Sequence, residues 1–507
     1  MKEKTDIDTG ITIDIELLQR HQLDGLLDHG YITKFGKKYG FKADWSYQDF
    51  AKNVPITTYN CIEAYIERNK SGESNQLWEG ITQRFAVSSG TTGDGKHLPI
   101  TNERLHSDRV FLRQVARYAL TKTNINPISL LAGKHISLPG SIESVLYGDG
   151  EREHAITLGE ISGHLADISP AWLNWFQVLP INELIQLSFK NKFDRVVAES
   201  IKKDIRVVNA VPSWTLILFQ EVLERTGKST VSEIWPHLKL VLGGGVAMRN
   251  YAGALRKLYG KPLSFIETYG ASEGYFAFGG YADSSSNSTT PSCDLKLVVD
   301  NGIFYEFLPV KSDNGEEKSE PIPLWDVDTD TPYSLIVSTN AGLWRYKVGD
   351  IIEFTQLNPP KIVVTGRLDE MLDDYGEALR QYELDKALSE TCHQLNCNLP
   401  HYKMGALHQN ERQVPIHHWF LFGDENYPTE NIEKELDDRL QTLNRHYQIR
   451  RESGAINAPK VWQLTSKEFK HVISKMPTDG DTAQSKPKRI LQSADDIVQL
   501  LELAKSS

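Results

Sequence analysis

The densest run of chemically useful side chains lies between Ser88 and His97. Ser88, Ser89, Thr91 and Thr92 carry hydroxyls, Gly90, Gly93 and Gly95 let backbone N–H groups approach a ligand, and Lys96 adds positive charge. Such a set in one loop is what a phosphate group needs, because its oxygens accept several short, charge-assisted hydrogen bonds at once. Gly90, Gly95 and Lys96 nearly fit the pattern GxxxxGK[ST], but His97 stands where a hydroxyl would hold Mg²⁺. The plain alternative is a Gly/Ser surface turn. A second segment, Glu267-Thr268-Tyr269-Gly270-Ala271-Ser272-Glu273-Gly274, carries an apolar strand into small residues and then a carboxylate. Ligands of open α/β sheets sit at that end of a strand. There Glu273 suits Mg²⁺, which favours a few carboxylates together with phosphate oxygens and water; the alternative is a solvated turn residue. In a third segment, Asp350 follows Gly349 at a strand turn and can accept both hydroxyls of a ribose, unless it is simply a turn aspartate.

These residues need elements to hold them. Residues 1–80 read as mostly helical, with short apolar clusters between polar turns. Phe85-Ala86-Val87 is a short β-prone run leading into the Ser88 loop, and 102–122 reads as a helix. Ile205–Val208, Leu238–Leu242 and Leu263–Thr268 read as strands, separated by helices after Pro212 and over 250–259. Strand, helix and strand at such intervals mark βαβ units and a mixed or parallel sheet. From about 295 to 366 the chain is strand-rich: 295–299, 303–307, 333–338, 344–348, 351–354 and 361–365. Helices return at 377–391 and 428–447. The expected fold is α/β, with a large domain over 1–369 that has mixed or parallel sheets and a β-rich subdomain. A small α+β domain over 370–507 follows.

Composition narrows the function classes. The 507 residues are 40% hydrophobic and 24% charged, an ordinary globular balance. Lys plus Arg number 56 against 67 Asp plus Glu, so the formal net charge is −11, which argues against bulk attraction to nucleic acid or an anionic membrane. No apolar stretch approaches the ~20 residues that span a bilayer, and the polar start lacks the apolar core of a secretory signal. Cys61, Cys293, Cys392 and Cys397 are too few for a disulfide framework, which points to a reduced, cytoplasmic setting. Cys392-His393 with Cys397 lacks metal-ligand spacing.

Taken in order, the three segments resemble those of the adenylate-forming enzymes, and within them the Gretchen Hagen family of acyl acid–amido synthetases, as a bacterial-like member. Ser88–Lys96 is similar to the family's first motif, Tyr269–Glu273 to its second, and Tyr346–Asp350 to its third, with Lys347 where arginine is commoner. Gly366–Gly376 is similar to the superfamily's hinge segment. Val54–Tyr59, Tyr65–Arg68 and Val211–Trp214 look like family lead-in and pocket segments. Gln484-Ser485-Lys486-Pro487-Lys488-Arg489 resembles the family pattern Gln-x-Lys-x-Pro-Arg, with its proline one place early.

The resemblance implies an activity and a set of roles. ATP and Mg²⁺ would be the cofactors, and small-molecule carboxylic acids and amines, usually amino acids, the substrates. Ser88, Ser89, Gly90, Thr91, Thr92, Gly93 and Lys96 would hold phosphates, and Gly243, Gly244, Gly245, Tyr269, Gly270, Ala271 and Ser272 would wall the adenine and acyl-adenylate site. Glu273 would bind the metal and Asp350 the ribose, with Arg367 as a second contact. Lys486 would be the catalytic lysine of the carboxyl-terminal motif, with Lys488 as the fallback for its shifted register. Val211, Pro212, Trp214, Thr215 and Leu216 would border the acyl pocket, although most could equally be core. Glu370 would be the hinge. Arg445, His446, Arg450 and Arg451 form a basic cluster suited either to solvent or to an acceptor's carboxylate. The runner-up activity passes the acyl group to CoA or a carrier-protein thiol. His97 disfavours a P-loop kinase or ATPase, and the joint presence of Glu273, Asp350 and a terminal lysine disfavours a non-catalytic nucleotide binder.

Overall fold

The computed structural model describes all residues except 1–13, 89–95, 124, 149–152, 246, 282–293, 311–319, 368–370, 373–376, 378, 408–413, 454, 466, 469–488, 492–493 and 507. Among the described residues the largest sheet has eleven strands, and its two halves are built differently. Lys134–Ser137, Ile205–Asn209, Leu240–Gly244 and Ser264–Ala271 lie side by side in parallel. Val208, Val241, Phe265 and Ile266 in these strands are fully buried, as parallel strands covered on both faces require. The helices Pro212–Thr226 and Arg249–Tyr259 are the crossovers. Proline opens the first, where its missing N–H costs nothing, and Gly227 closes it at φ 66°.

Beyond Ser264–Ala271 the pairing reverses. Gly274–Tyr281 returns antiparallel to it, and the sheet continues through Leu295–Leu297, Pro360–Arg367, Tyr346–Leu357, Pro332–Thr339, Ile303–Pro309 and Ile322–Pro323, all antiparallel. Helices from residues 15–70 cover this half with a core that includes Phe50, Ile62, Ile66, Phe304 and Trp344. A four-stranded sheet places Arg84–Ser88 between Lys96–Ile100 and Glu153–Gly159, with Ile142–Gly148 outside. The carboxyl-terminal residues form a three-stranded sheet of His401–Leu407, Ile416–Phe422 and Lys460–Leu464. The helices Gln381–Gln394 and Thr429–Leu443 pack on it around Leu388, Trp419 and Leu436.

The expected mixed α/β class holds, and its departures are local. The helix expected over 428–447 is two, Thr429–Leu443 and Arg445–Glu452. Asn444 leaves helical geometry, and its side chain accepts from the Tyr447 N–H, starting the second helix. The separate strands expected over 344–348 and 351–354 are one, Tyr346–Leu357, because Gly349 at φ 93° and register shifts beside it carry the chain through. The helix expected from 377 begins at Gln381, after a two-residue strand at Leu379–Arg380.

One buried ion pair ties the amino-terminal helices to the antiparallel half. Arg345 Nη2 donates to Glu306 Oε1 at 2.8 Å, Arg345 Nη1 donates to the carbonyls of Ala51 and Val54, and the side chains are 6% and 1% exposed. Removing one partner strands a buried charge. Arg345→Leu should therefore cost about 3–5 kcal/mol in urea unfolding, whereas Arg20→Leu, at an exposed helix pair, should stay within about 1 kcal/mol. Equal losses would show that the buried pair is not special.

Candidate active site

The strand Ser264–Ala271 is where the segments converge. On its parallel side Gly243 pairs with Glu267 and Gly244 with Thr268. A Cβ on Gly244 would lie 2.5 Å from the Thr268 carbonyl oxygen, and one on Gly243 would lie 2.8 Å from the Ala210 oxygen and 3.0 Å from Pro212 Cδ. The Gly243–Gly245 run thus lets the backbone press against both the second motif and the helix start at Pro212, and Gly245 sits at φ 86°. On the antiparallel side Ala271 pairs with Gly274, so Ser272 and Glu273 form the connecting turn. A Cβ on Gly270 would strike the Tyr275 ring at 2.5 Å.

Two side chains lock this strand end to distant parts of the chain. Tyr269 donates its hydroxyl to Asp350 Oδ2 at 2.6 Å, joining the second motif to the third, and both residues are buried. Asp350 pairs with Arg367 across adjacent strands. Arg104 donates from Nη1 to the Glu273 carbonyl at 2.6 Å and the Ser272 carbonyl at 3.3 Å, while its Nε holds Asp108 at 2.8 Å. Arg104 lies in the helix Asn102–Lys122, which directly follows the strand Lys96–Ile100. One buried guanidinium thus ties the helix that follows the first motif to the turn of the second. Sequence reasoning missed Arg104; its signal is an Arg and an Asp four apart, interleaved with the apolar Leu105 and Phe111.

Glu273 is 9% exposed. Deeper in the strand, burial pushes Glu267 from 4.5 to about 7, although the Met248 N–H at 3.1 Å and the charge of Arg249 pull the other way. Its carboxyl holds a proton in the fold that the unfolded chain releases near 4.5, so that stabilisation is full below 4.5 and is lost as pH rises through 7.

The remaining expected residues are placed as follows. Ser88 ends the strand Arg84–Ser88 and pairs with Lys96, while Ser89, Gly90, Thr91, Thr92 and Gly93 lie outside the described residues. So do Glu370, Lys486 and Lys488. Pro212, Thr215 and Leu216 are buried, and Trp214 packs its ring against Phe193 at 6.0 Å, so this helix start faces the parallel half's core. Leu216 also lines a cavity with Tyr251, Asp385, His401, Tyr402 and Arg489. Arg489, the last residue of the carboxyl-terminal motif, is paired there with Asp385 and stands 5.2 Å over the Tyr402 ring. Of the basic cluster, Arg451 is held by Asp437 at 2.8 Å and serves the packing of its helix. Among the described residues no helix is long and apolar enough to cross a membrane.

This architecture is that of the adenylate-forming enzymes. A 2-hydroxyisobutyryl-CoA ligase in its postadenylation state superposes with TM-score 0.59 at 12% identity, covering 100% of this chain and 98% of that one. The Arabidopsis acyl acid amido synthetase AtGH3.15, in complex with 2,4-DB, gives TM-score 0.78 at 16% identity, covering 97% and 94%. Residues 10–141 match the GH3 family N-terminal domain, 296–367 its central domain and 382–495 its C-terminal domain. The chain belongs to the GH3 family. Its relatives include the Arabidopsis thaliana indole-3-acetic acid-amido synthetase GH3.3, 23% identical over 75% of this chain and 71% of that protein. The Arabidopsis thaliana 4-substituted benzoates-glutamate ligase GH3.12 is 21% identical over 75% and 74%. The expected family, fold and ligase class are borne out; the bacterial-like character is not, since these relatives are plant proteins.

Glu267→Gln keeps an acceptor for Met248 while removing the titration. The wild-type protein should lose about 3 kcal/mol more stability than this variant between pH 4.5 and 8, measured by urea unfolding across that range. Parallel pH profiles would show that Glu267 is not the buried proton carrier.

Proposed function

We propose that this protein is an ATP-dependent acyl acid–amido synthetase. A carboxylate oxygen attacks the α-phosphorus of ATP, the bond to the β-phosphate breaks, and acyl-AMP and pyrophosphate form. An amine nitrogen, here that of an amino acid, then attacks the acyl carbon. AMP leaves, and the ammonium proton is lost as the amide forms. Free acid and amine at neutral pH give only a salt, so ATP must supply the leaving group. The single observation behind this reading is the hydrogen bond from Tyr269 to Asp350, which joins two of the three nucleotide motifs at a strand end.

In this reading Ser88, Ser89, Gly90, Thr91, Thr92, Gly93 and Lys96 hold the phosphates. Asp350 takes the ribose hydroxyls with Arg367 beside it, and Gly243–Gly245 with Tyr269–Ser272 wall the nucleotide. The donor set suits Mg²⁺, because Glu273 offers a hard oxygen donor and this ion needs only one or two carboxylates besides phosphate oxygens and water. When bound, the ion neutralises phosphate charge. Lys96 and Lys486 add positive charge where it builds up during transfer, which is how positioning and electrostatics supply most of such a rate. Val211, Pro212, Trp214, Thr215 and Leu216 border the acyl group. Residues 1–369 form the substrate-binding domain and 370–507 the small mobile one, pivoting at Glu370 between the two half-reactions. The reading places the enzyme in the cytoplasm, in keeping with free thiols at Cys61, Cys392 and Cys397.

ATP–pyrophosphate exchange with a panel of carboxylic acids tests the first half-reaction, and mass spectrometry with amino acids against CoA tests the second. Acid-dependent exchange followed by amide is expected; thioester instead of amide would move the protein to the acyl-CoA ligases. Lys486→Ala should cut exchange by at least ~100-fold, the scale for losing one transition-state charge contact. Full exchange in that variant, with loss in Lys488→Ala, would shift the role by two residues. Asp350→Ala should raise the Michaelis constant for ATP while leaving that for the acid in place, and an unchanged value for ATP removes the ribose role.

A further inference from the structure

A buried lysine outside the site just described has an unusual set of neighbours. Lys70, the last residue of the helix Tyr59–Lys70, is 4% exposed. Its Nζ donates to Glu67 Oε1 at 2.8 Å and lies 3.0 Å from His97 Nδ1. It also stands 4.5 Å from the centroid of the Tyr147 ring, and the Tyr147 hydroxyl donates to Glu67 Oε2. An ammonium has only donors, so His97 Nδ1 is the acceptor and the imidazole is neutral with its proton on Nε2. Burial alone would raise the Glu67 pKa; hydrogen bonds from Lys70 and Tyr147, with the charge of Lys70, outweigh it and lower the value.

The same helix holds His97 a second time. The His97 backbone N–H donates to the Tyr59 hydroxyl at 3.2 Å. Tyr59 and Lys70 are eleven residues apart, close to three full turns, so both reach from one face of the helix. Residue 97 is thus gripped through its backbone by one end of the helix and through its ring by the other. His97 pairs with Val87, and its neighbour Lys96 pairs with Ser88 on the next rung. Burying a lysine costs free energy unless it is paired, and here its hydrogen bonds go to that one rung and to the carboxylate that orients it.

We propose that Lys70 is a positioning residue for adenylation: with Glu67 and Tyr147 it holds His97, and through His97 it fixes Lys96 for the nucleotide phosphates. This inference rests on the reading of Lys96 as a phosphate contact. It also gives a role to the histidine that breaks the GxxxxGK[ST] pattern, since a hydroxyl at position 97 would be too short to meet Lys70.

The test pairs ATP affinity, read by calorimetry, with the kinetics of ATP–pyrophosphate exchange. Lys70→Met should weaken ATP about 10-fold, the scale of one charge-assisted hydrogen bond, with the acid's Michaelis constant unchanged. His97→Leu should match it, and the double variant should add nothing further, because both remove one contact. His97→Asn keeps an acceptor near the Nδ1 position and should stay within about 2-fold of wild type, a rescue that a space-filling role would not produce. Wild-type ATP affinity in Lys70→Met, or His97→Asn as impaired as His97→Leu, overturns the inference while leaving the proposed function intact. If Lys70→Met does not fold, Tyr147→Phe takes its place, with a loss of about 2- to 3-fold expected and none counting against the role. A wild-type protein that binds no ATP overturns the function reading, and this inference with it.

Discussion

The change of pairing at the strand Ser264–Ala271 is the constraint on which the site depends. A strand that is parallel to one neighbour and antiparallel to the other receives two kinds of connection at one end. The parallel neighbour brings the Gly243–Gly245 turn, because a crossover helix must start there. The antiparallel neighbour brings a tight reversal, and that reversal presents Ser272 and Glu273. An all-parallel sheet would put a helix where the Glu273 turn stands, and an all-antiparallel one would remove the glycine turn. The two features can meet only where the sheet changes character.

Holding such a junction takes polar contacts inside the fold. Arg104 meets Asp108 and two backbone carbonyls, so its charge is compensated and its Nε and Nη1 donors serve positioning rather than solvation. Tyr269 contributes an apolar ring to the core against Phe276 and sends only its hydroxyl to Asp350. Glu267 is the exception: burial raises its pKa so far that it holds its proton near neutrality, which removes the charge that the strand could not otherwise accommodate. Close glycine packing at Gly243 and Gly244 explains why these positions carry no side chain, independently of any ligand.

Much of this was legible in the sequence, and the reason differs by residue. The parallel strands around Val207, Val241 and Phe265 announce themselves as short apolar runs between Pro- and Gly-bounded helices. Their burial on both faces allows no alternation, and the structure agrees. The convergence of Tyr269 with Asp350 was implied only through family resemblance, since 81 residues separate them and no local pattern carries a contact of that length. Arg104 left a trace, an i,i+4 ion pair on an apolar face, but such pairs usually sit in solvent. Asn444 shows the limit in the other direction: the helical periodicity runs through it, and only its side-chain bond to Tyr447 reveals the break. The roles of Val211–Leu216 divide similarly, because a helix start can face a pocket and a core at once, and Leu216 does face both a cavity and the parallel half's core.

The carboxyl-terminal residues meet the rest through contacts of a particular kind. Tyr251 lies 5.3 Å from His401 between ring centroids, Lys257 is paired with Glu425, and Arg489 is buried beside Asp385 and Tyr402. The Lys257–Glu425 pair has side chains 60% and 45% exposed, so it adds little stability. Arg489 is buried deeper, paired with Asp385 of its own unit and also meeting Tyr251 of the helix Arg249–Tyr259. A cavity also remains between the surfaces, lined by Leu216 and Ala254 on one side and Asp385 and Lys403 on the other. The junction thus joins an exposed ion pair to surfaces that leave space between them, the packing expected of an interface between units rather than of a shared core.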